Sequence, residues 1–309
     1  MIQHVLPHFM AYQAGMRNIG LFVSETTHFR GSGWVDRLEL MDEVWVANRQ
    51  QVDACRASGL TKEPVVIPHA VDVSVYEQSY PVLPRLKPFK EAGDFLFYFV
   101  GEYVRRKNLA SLLKAFHLEF DVDEPVQLVI KTGLPGMSPA ECEKHVLGDH
   151  QKTVEGLKLA HAKTPIVITE RLSEQDVRSL HSTCDCLVSP SYGEAWGFPA
   201  MDAMGFGKVP VVTACGGFLD YIGPEEGFLV ECREEPCFAA ESLPGLYQGD
   251  ECWWSIDIEH LRRCMRSVYG NARLRESRAF HGVQRVYDFS LEAVGNLIKK
   301  ALLDGPATH

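Results

Sequence analysis

SPSYGEAWGFPAMDAMGFG, residues 189–207, is the stretch that decides how this sequence folds. An apolar run, DCLVSPS (185–191), leads into it and predicts a buried strand. Pro199 suits the first turn of a helix, where its missing N–H would have had no partner, so a helix is predicted to follow. Glu194 then lies in a glycine-flanked turn, and Asp202 lies in or just beyond the first helical turn. The stretch is therefore a strand–turn–helix unit with one acid on each side of the helix start.

Apolar runs rich in β-branched residues recur along the chain and alternate with amphipathic helical patterns. Buried strands are predicted at residues 18–26, 42–49, 64–70, 94–103, 125–133, 165–170, 185–191 and 209–217. Helices predicted between them include residues 107–120, 173–184 and 198–207. Near-continuous apolar strands separated by helices are typical of parallel sheets covered on both faces. The predicted class is α/β, with a doubly wound architecture.

A proline-rich, charged stretch without a clean period, VYEQSYPVLPRLKPFKEAGD (75–94), interrupts this alternation. Together with the length of 309 residues, it indicates two domains joined by a linker. About three strands fit before it, fewer than in an ordinary open sheet, so the first domain is expected to be incomplete. We predict a first domain at residues 1–80, a linker at 81–93, a second domain at 94–275 and C-terminal helices at 276–309, with a crossing back to the first domain left open.

The C-terminal part of the chain is predicted to be helical. Asp257 is placed to cap the helix that contains HLRRCMRSVY, and Ser290 with Glu292 opens the last helix.

Composition indicates a cytoplasmic protein without a nucleic-acid partner. The formal net charge of -10 argues against non-specific binding to nucleic acids or anionic membranes, which need a basic surface. No apolar run reaches the roughly 18 residues of a membrane span, so no transmembrane segment is expected. The nine cysteines are odd in number and lack a CxxC spacing, which favours reduced, mostly buried thiols over a disulfide or zinc framework.

A basic turn lies between a predicted strand and helix in FVGEYVRRKNLASLL (99–113). The strand ends at Gly101, and Arg105, Arg106 and Lys107 precede the helix. Basic side chains at such a turn can neutralise a diphosphate. The alternative is an ordinary solvated basic turn.

A glycine pair lies at a similar position in TACGGFLDYI (213–222), where Gly216 and Gly217 follow a strand and precede a short helix. Their backbone amides could bind phosphate, although a tight turn is the simpler explanation. The fingerprints GxGxxG and GxxxxGK[ST] are absent from the sequence, so dinucleotide-dehydrogenase and P-loop functions lack their usual support.

The acid pair suits a ligand that carries both phosphate and hydroxyl groups. The start of the helix between the two acids attracts an anion, because its first N–H groups are unpaired and its dipole is positive there. Carboxylates accept hydrogen bonds from ribose or pyranose hydroxyls. The alternative is that Asp202 only complements the helix dipole and that Glu194 is an ordinary turn residue.

Together these segments resemble the family-4 retaining glycosyltransferases, which have the GT-B fold. Glu194-AWGFPAM-Asp202 is similar to the family's acid–x7–acid element, VGEYVRRKNL to its phosphate-binding turn, and VVTACGGFLDYI to the loop after the acid pair. DEVWVANRQQVDACRASGLTKEPVVIPHAVD resembles the end of the family's first domain. The resemblance is strong over residues 95–230 and moderate over residues 1–75. It implies two Rossmann-like domains with parallel sheets. The first is incomplete and lies on the acceptor side, and the second binds the nucleotide sugar.

The resemblance also implies roles for individual residues. Glu194 would contact the hydroxyls of the transferred sugar, Asp202 would hold the ribose, and Lys107 would bind the diphosphate and stabilise the departing charge. All three are expected to face one crevice. The other implied donor-binding residues are Arg105, Arg106, Gly101, Trp196, Gly197, Phe198, Gly216, Gly217 and His4. No metal or cofactor is expected, and the donor would be a UDP- or GDP-linked sugar.

The implied function is transfer of a hexose, with retention of configuration, to a saccharide, lipid or protein acceptor. A second hypothesis is a non-catalytic nucleotide-sugar-binding protein or partner subunit. A third is another activity of the same fold, such as a phosphorylase with a lysine-bound pyridoxal cofactor or an epimerase.

The sequence departs from the family pattern at several positions. Asp202 is one methylene shorter than the usual glutamate, and Glu102 stands where a basic residue is common. His4 is about one residue out of register with the family's donor-contacting histidine, and a structural role fits it equally well. The chain starts in what resembles the middle of the first domain, without the family's glycine-rich strand–loop, so self-association is expected.

Two further features are interpreted without a functional role. Asp121 and Asp123 resemble a metal-binding DxD motif, but they lie in a polar turn before a strand, where solvated acids are common. Tyr103, Tyr192 and Trp196 could stack on a base or sugar ring, although burial is commoner for such aromatic residues.

Overall fold

The computed structural model describes residues 1–237 and 249–304, which form two parallel sheets, one hairpin and the surrounding helices. The first sheet has four parallel strands in the order β1-β2-β3-β4: Ile2–His4, Ile19–Phe22, Glu43–Val46 and Val65–Val66. The expected number of about three strands was one too low. The missed strand, β1, is a three-residue edge strand with little burial, so it leaves no apolar run in the sequence.

The second sheet has six parallel strands in the order β10-β9-β8-β5-β6-β7. In chain order, β5 to β10 are Phe95–Val100, Val126–Lys131, Ile166–Ile168, Cys186–Ser189, Val209–Thr213 and Phe228–Val230. The strand order reverses direction between β5 and β8. Open α/β sheets bind ligands beyond the carboxyl ends of the strands at such a reversal. The α/β class and the parallel sheets predicted from the sequence are confirmed.

The described part of the chain contains eleven α-helices. In chain order, α1 to α11 are Trp34–Leu40, Arg49–Ser58, Lys87–Ala92, Leu109–Glu119, Pro139–Gly156, Glu174–Thr183, Phe198–Gly205, Phe218–Tyr221, Ile258–Gly270, Ala272–Tyr287 and Leu291–Asp304. Short 3-10 turns occur at Pro7–Phe9, Arg30–Ser32, Val73–Glu77 and Arg105–Lys107. No helix in these residues combines the length and the apolar character that a bilayer crossing requires.

Helices cover both faces of the second sheet, as the near-continuous apolar strands predicted. Alternate residues of a strand point to opposite faces, and on β5 Phe97 and Phe99 pack with α4, α5 and α9. Leu96 and Tyr98 pack on the other face with α6, α7 and α8. We call these two sides the α4/α5 side and the α6/α7 side.

The predicted linker is not a structureless segment, because it contains the turn Val73–Glu77 and the helix α3. Leu83 and Leu86 are buried on the α6/α7 side of the second sheet. Gly93 ends α3 in a left-handed conformation with φ 85°. The helix α3 was not predicted, because its six residues, KPFKEA, are too few to show the apolar period of a helix. The domain boundaries themselves stay predictions.

The last helix packs on the first sheet. Val294 of α11 is buried with Ile19, Trp45 and Ile67, and the Arg17 guanidinium donates to the carbonyl oxygen of Leu302 at 2.6 Å. The chain therefore returns to the first sheet at its C-terminal end, and α11 covers a face that the four strands would otherwise expose.

One hairpin was not predicted from the sequence. The antiparallel strands β11 (Cys232–Pro236) and β12 (Cys252–Ile256) form it. The CREEP sequence of β11 has no apolar alternation, so only its pairing with β12 makes it a strand. The hairpin joins the two halves of the molecule. Thr27 N donates to Cys252 O at 2.9 Å, and Trp254 N donates to Tyr192 O at 2.7 Å.

Two local predictions in the C-terminal part of the chain are confirmed. Asp257 caps α9 by accepting from His260 N at 2.8 Å. The Ser290 hydroxyl accepts from Ala293 N at 3.2 Å at the start of α11. The nine cysteines all lie in the described residues, and seven of them are buried, as predicted, whereas their reduced state stays a prediction.

Candidate active site

The acid loop, residues 190–197 after β8, and the basic loop, residues 101–108 after β5, lie side by side where the strand order reverses. Hydrogen bonds join them directly. Tyr192 N donates to Arg106 O at 2.8 Å, and the Asn108 side chain donates to Pro190 O at 3.1 Å. The loops therefore form one unit, although 82 positions separate Asn108 from Pro190.

Lys107 and Glu194 form the central contact of this unit. The ammonium Nζ of Lys107 lies 2.5 Å from Oε2 of Glu194, and the side chains are 13% and 11% exposed. The Arg106 guanidinium lies 3.7 Å from the same oxygen and donates to Gly193 O at 2.7 Å. Two cations therefore surround one carboxylate, and they would be available to a phosphate that entered beside it.

Asn108 directly follows Lys107, ties the basic loop to Pro190 of the acid loop, and was not identified from the sequence. It is buried and adopts a left-handed conformation with φ 54°, between the turn Arg105–Lys107 and the start of α4. Asn tolerates this conformation better than most residues. The RRKN sequence, with Asn directly before a helix, was the available signal.

Asp202 lies in different surroundings. One turn beyond Phe198 on α7, it accepts a hydrogen bond from the Tyr76 hydroxyl at 2.7 Å. His181 Nε2 lies 4.0 Å from its other oxygen, but burial lowers the pKa of His181 to about 3, so this imidazole is neutral near pH 7 and forms no ion pair. Burial also raises the pKa of Asp202. The missed partner, Tyr76, comes from the predicted linker.

In this conformation the two acids line different spaces, and a single crevice that holds one donor against both acids stays a prediction. Asp202 lines a cavity of about 330 Å³ on the α6/α7 side, together with Tyr76, Leu172 and Arg178. Glu194 lines a space of about 10 Å³ between the two sheets, which is room for about one water molecule. Motif spacing brings the two acids to the same helix start, and the packing around each of them decides which space it lines.

The first half of the molecule closes over the acid loop. The Asn48 side chain, which caps α2, donates to Ala195 O at 2.5 Å. Gly193 allows a close approach, because a Cβ there would lie 2.2 Å from Glu25 O. Glu25 also lies 3.4 Å from the Arg106 guanidinium. These contacts have no signal in the sequence beyond a polar NRQQ run after a strand.

The predicted glycines have two different uses. At Gly101, a Cβ would lie 3.0 Å from the Phe99 ring and 3.5 Å from Cδ of Lys107, so the missing side chain leaves room for the lysine. The amides of Gly216 and Gly217 already have protein acceptors, Gln50 Oε1 and Glu194 O. In this conformation they hold the acid loop and are not directed at a phosphate, so their use in phosphate binding stays a prediction.

The start of α7 carries no side-chain cap. Gly197, with φ 86°, precedes the helix, and Phe198 beside it is 44% exposed. The His69 ring lies 5.2 Å from that of Phe198 and 5.8 Å from that of His4. The His69 ring therefore lies between His4 and the start of α7. His69 was not identified from the sequence.

Trp196 is buried, with 2% of its surface exposed, and packs against Tyr221 and Phe289. The Trp196 ring packs inside the protein beneath the backbone of the acid loop. Stacking of this ring on a ligand therefore does not fit the structure. Tyr103 and Tyr192, in contrast, line a third cavity of about 630 Å³ together with Arg105 and Arg106.

Asp121 and Asp123 lie in the turn that leads into β6, where Asp121 N donates to Glu124 Oε1 at 2.9 Å. This turn is at the amino end of a parallel strand. It is therefore at the opposite edge of the sheet from the acid loop, as the sequence analysis expected.

Comparison with known proteins identifies the family. The family model for glycosyl transferases group 1 matches residues 85–243, more than half of the chain. The chain belongs to the group 1 glycosyl transferases. This result confirms the resemblance stated from the acid pair and the basic turn.

Among the relatives of this group 1 glycosyl transferase, YqgM of Bacillus subtilis, described as an uncharacterized glycosyltransferase, is 32% identical over 127 residues. That match covers 41% of this chain and 32% of YqgM. A second curated relative is matched over 44% of its length. The chain thus spans less than half the length of the curated relatives that it matches.

Two solved structures share the fold of this group 1 glycosyl transferase. Sucrose-phosphate synthase from Thermosynechococcus elongatus is 20% identical with a TM-score of 0.66, over 94% of this chain and 69% of that one. HepE of Anabaena, in complex with UDP and glucose, is 16% identical with a TM-score of 0.65, over 87% of this chain and 65% of that one.

Proposed function

We propose that this group 1 glycosyltransferase transfers a hexose from a UDP- or GDP-linked sugar to an acceptor hydroxyl, with retention of configuration and without a metal ion. The observation that carries the proposal is the contact of 2.5 Å between Lys107 and Glu194 at the uncapped start of α7. Two cations, Arg106 and Lys107, meet there beside the Glu194 carboxylate, which can accept from hydroxyls; a sugar diphosphate needs this combination.

The leaving group decides where positive charge is required. When the bond between C1 of the sugar and the phosphate oxygen breaks, its electron pair stays on the diphosphate. The Lys107 ammonium and the Arg106 guanidinium would stabilise that charge, with the positive end of the α7 dipole beside them, and fixed groups of this kind typically supply the largest electrostatic contribution. With these groups in place, a metal ion is not required for charge stabilisation.

Glu194 would bind the transferred sugar. Its carboxylate, once released from Lys107 by the incoming phosphate, accepts hydrogen bonds from ring hydroxyls. The acceptor oxygen then bonds to C1 from the face that the diphosphate leaves, and its proton passes to the departing phosphate oxygen. This order of events retains the configuration at C1.

The nucleoside would bind in the cavity of about 330 Å³ beside Asp202. A ribose hydroxyl would share or replace the hydrogen bond that Tyr76 now donates. The UDP and glucose bound to the structurally similar HepE support the uridine class of donor.

The space of about 10 Å³ at Glu194 is too small for a hexose, so donor binding requires the two halves of the molecule to separate. Opening would break the hydrogen bond from Asn48 to Ala195 and the bond between Gln50 and Gly216. The conformation described here is therefore a closed one.

The deciding experiment measures the binding and the turnover of UDP- and GDP-linked hexoses by the whole chain. Thermal shift with UDP and GDP reports binding, because a ligand of the folded state raises its stability. Chromatography of the released nucleoside diphosphate reports turnover with and without EDTA, and NMR of the product reports its anomeric configuration.

Glu194→Ala and Lys107→Ala should abolish most turnover, whereas Lys114→Ala, which removes an exposed lysine of α4, should not. Equal rates in all these variants would refute the proposal. Nucleotide binding without turnover would select the alternative of a nucleotide-sugar-binding protein or partner subunit.

A further inference from the structure

We propose that His181 is a specificity-determining residue of the donor site, and that it holds one ribose hydroxyl of the nucleotide sugar together with Asp202. The inference rests on the proposed transferase function and restricts the donor to sugars linked to a ribonucleoside diphosphate with both ribose hydroxyls. No role for His181 was predicted from the sequence. This histidine lies on α6 and lines the cavity of about 330 Å³ beside Asp202.

The position of the proton on the His181 ring follows from its hydrogen bond with Tyr98. Tyr98 Oη lies 2.8 Å from His181 Nδ1, and both residues are almost completely buried. Within the described residues the Tyr98 hydroxyl has no second hydrogen-bond partner, so it donates to Nδ1, since a buried hydroxyl rarely lacks an acceptor. Burial lowers the pKa of His181 to about 3, so the ring is neutral near pH 7. The single ring proton is therefore on Nε2.

Nε2 of His181 faces the Asp202 carboxylate across a gap. It lies 4.0 Å from Oδ2 of Asp202, which is too long for a hydrogen bond. The bond with Tyr98 is the one hydrogen bond of the His181 side chain in the part of the chain that the structure describes. His181 is only 1% exposed, and it lines the cavity. Its Nε2–H is therefore a buried donor that is available to a ligand in that cavity.

One hydroxyl group fits between this donor and the carboxylate. A hydroxyl accepts from an N–H at about 2.9 Å and donates to a carboxylate at about 2.7 Å. These two bonds span 4.0 Å when the angle at the hydroxyl oxygen is about 90°, which a hydroxyl allows. The same oxygen thus uses its proton on Asp202 and a lone pair on His181. A CH₂ group in its place would leave both partners without a hydrogen bond.

The surroundings favour a ribose over other parts of the donor. Oδ1 of Asp202 accepts from the Tyr76 hydroxyl at 2.7 Å, so the two carboxylate oxygens can take the two neighbouring hydroxyls of a ribose. One hydroxyl would share Oδ1 with Tyr76, and the other would lie between Oδ2 and His181. A phosphate oxygen only accepts hydrogen bonds, and the Asp202 carboxylate would repel it.

The His181 ring is held before a ligand arrives. Tyr98 binds one of its nitrogens, and the Phe206 ring lies nearly parallel to it, with 9° between the planes and centroids 6.1 Å apart. A donor that is already oriented loses little conformational entropy on binding. A site built in this way for a hydroxyl discriminates strongly against an analogue that lacks it.

Two substitutions separate the roles of the two ring nitrogens. His181→Asn keeps an acceptor near the position of Nδ1 for Tyr98 and removes Nε2. His181→Gln, the matched control, places an amide N–H near the position of Nε2. The probes are UDP and GDP with their 2′-deoxy and 3′-deoxy forms. Calorimetric titration gives each Kd, and the melting temperature without ligand shows whether each variant is folded.

The wild-type chain should bind the ribonucleotide at least about tenfold more tightly than one of its two deoxy forms. His181→Asn should reduce this ratio to about threefold or less, mainly through weaker binding of the ribonucleotide, and His181→Gln should restore most of it. Equal binding of all three nucleotides by the wild-type chain, or an unchanged ratio in His181→Asn, would overturn the inference. A purely structural role of His181 would weaken all three nucleotides alike and leave the ratio unchanged.

One measurement on the wild-type chain does not depend on the folding of a variant. The ¹⁵N chemical shifts of the His181 ring report which nitrogen carries the proton, and Nε2 is expected. A proton on Nδ1 would overturn the inference, because no donor would then face Asp202.

The two proposals fail in different ways. If neither UDP nor GDP binds to the wild-type chain, the proposed donor class fails, and the role of His181 fails with it. If a nucleotide binds and both deoxy forms bind equally well, only the role of His181 fails.

Discussion

Glu194 and Asp202 lie eight positions apart around one helix start, yet their surroundings differ in kind. Glu194 faces the Lys107 ammonium at 2.5 Å and the Arg106 guanidinium at 3.7 Å. Asp202 faces a phenol and a neutral imidazole. The first acid is part of a charged centre, and the second is a half-buried acceptor whose hydrogen-bond donor is the Tyr76 phenol. The comparison indicates that equivalent positions in a motif carry different chemistry.

The largest expected effect separates catalysis from binding. Lys107→Ala removes the cation proposed to stabilise the departing diphosphate, so kcat should fall about 100- to 1,000-fold. Asp202→Asn should mainly raise the KM for the donor, because a ribose contact is made equally before and during the reaction. Steady-state kinetics with the preferred nucleotide sugar separates the two. If both variants changed kcat and KM in the same proportions, the distinction between the two acids would be lost.

The next largest expected effect is a loss of stability when Glu194 is replaced. Glu194→Gln leaves the Lys107 ammonium, which is mostly buried, without its carboxylate. Removing one partner of a buried pair costs about 3–5 kcal/mol, and partial exposure reduces this to about 2 kcal/mol here. Urea unfolding at pH 7 measures the change. The matched control is Glu174→Gln, an exposed acid on α6, which should change the free energy of unfolding very little.

Substitution of Asp202 should stabilise the chain, whereas substitution of Glu194 should destabilise it. Burial raises the pKa of Asp202, so the native chain keeps this proton at pH values where the unfolded chain, with a pKa of about 3.9, has released it. This group therefore lowers wild-type stability as the pH rises from about 4 through the raised pKa. Asp202→Asn cannot ionise and should gain stability relative to wild type over that range. Unfolding curves from pH 4 to pH 7 test this, and a relative loss would contradict it.

The smallest effect is expected at Tyr76. Tyr76→Phe removes the hydrogen bond of 2.7 Å to Asp202 and should cost about 1 kcal/mol in the free energy of unfolding. The pKa of Asp202 should rise further, since the hydroxyl favours the ionised carboxylate. In the variant, the pH-dependent loss of stability should extend to a higher pH. An unchanged pH profile would mean that Tyr76 does not influence the acid.

Much of the fold could be predicted because its signals are local. The strand before the acid loop, the helix start at Pro199 and the last helix after Ser290 each follow from apolar runs and capping residues within a few positions. The exceptions are elements that their own residues do not specify. β1 and β10 are three-residue strands, and β11 exists because β12 pairs with it.

The candidate site was predicted less completely. The sequence identified the acid loop and the basic loop, and the structure places Lys107 against Glu194. It also suggested phosphate binding for the amides of Gly216 and Gly217, which the structure shows bonded to Gln50 and Glu194. Partners from distant segments cannot be read from motif spacing, because a backbone amide has no sequence signature of its own.

By itself the sequence determined the α/β class, the two sheets and the strand–turn–helix unit that carries both acids, because periodicity and the placement of glycine and proline act over a few residues. Only the tertiary structure decided which groups each acid meets. Lys107 reaches Glu194 across 87 positions, and Tyr76 reaches Asp202 across 126. The physical reason is that the charge and polarity around a carboxylate depend on distances in space. Packing of the two sheets and the linker sets those distances, and local pattern does not.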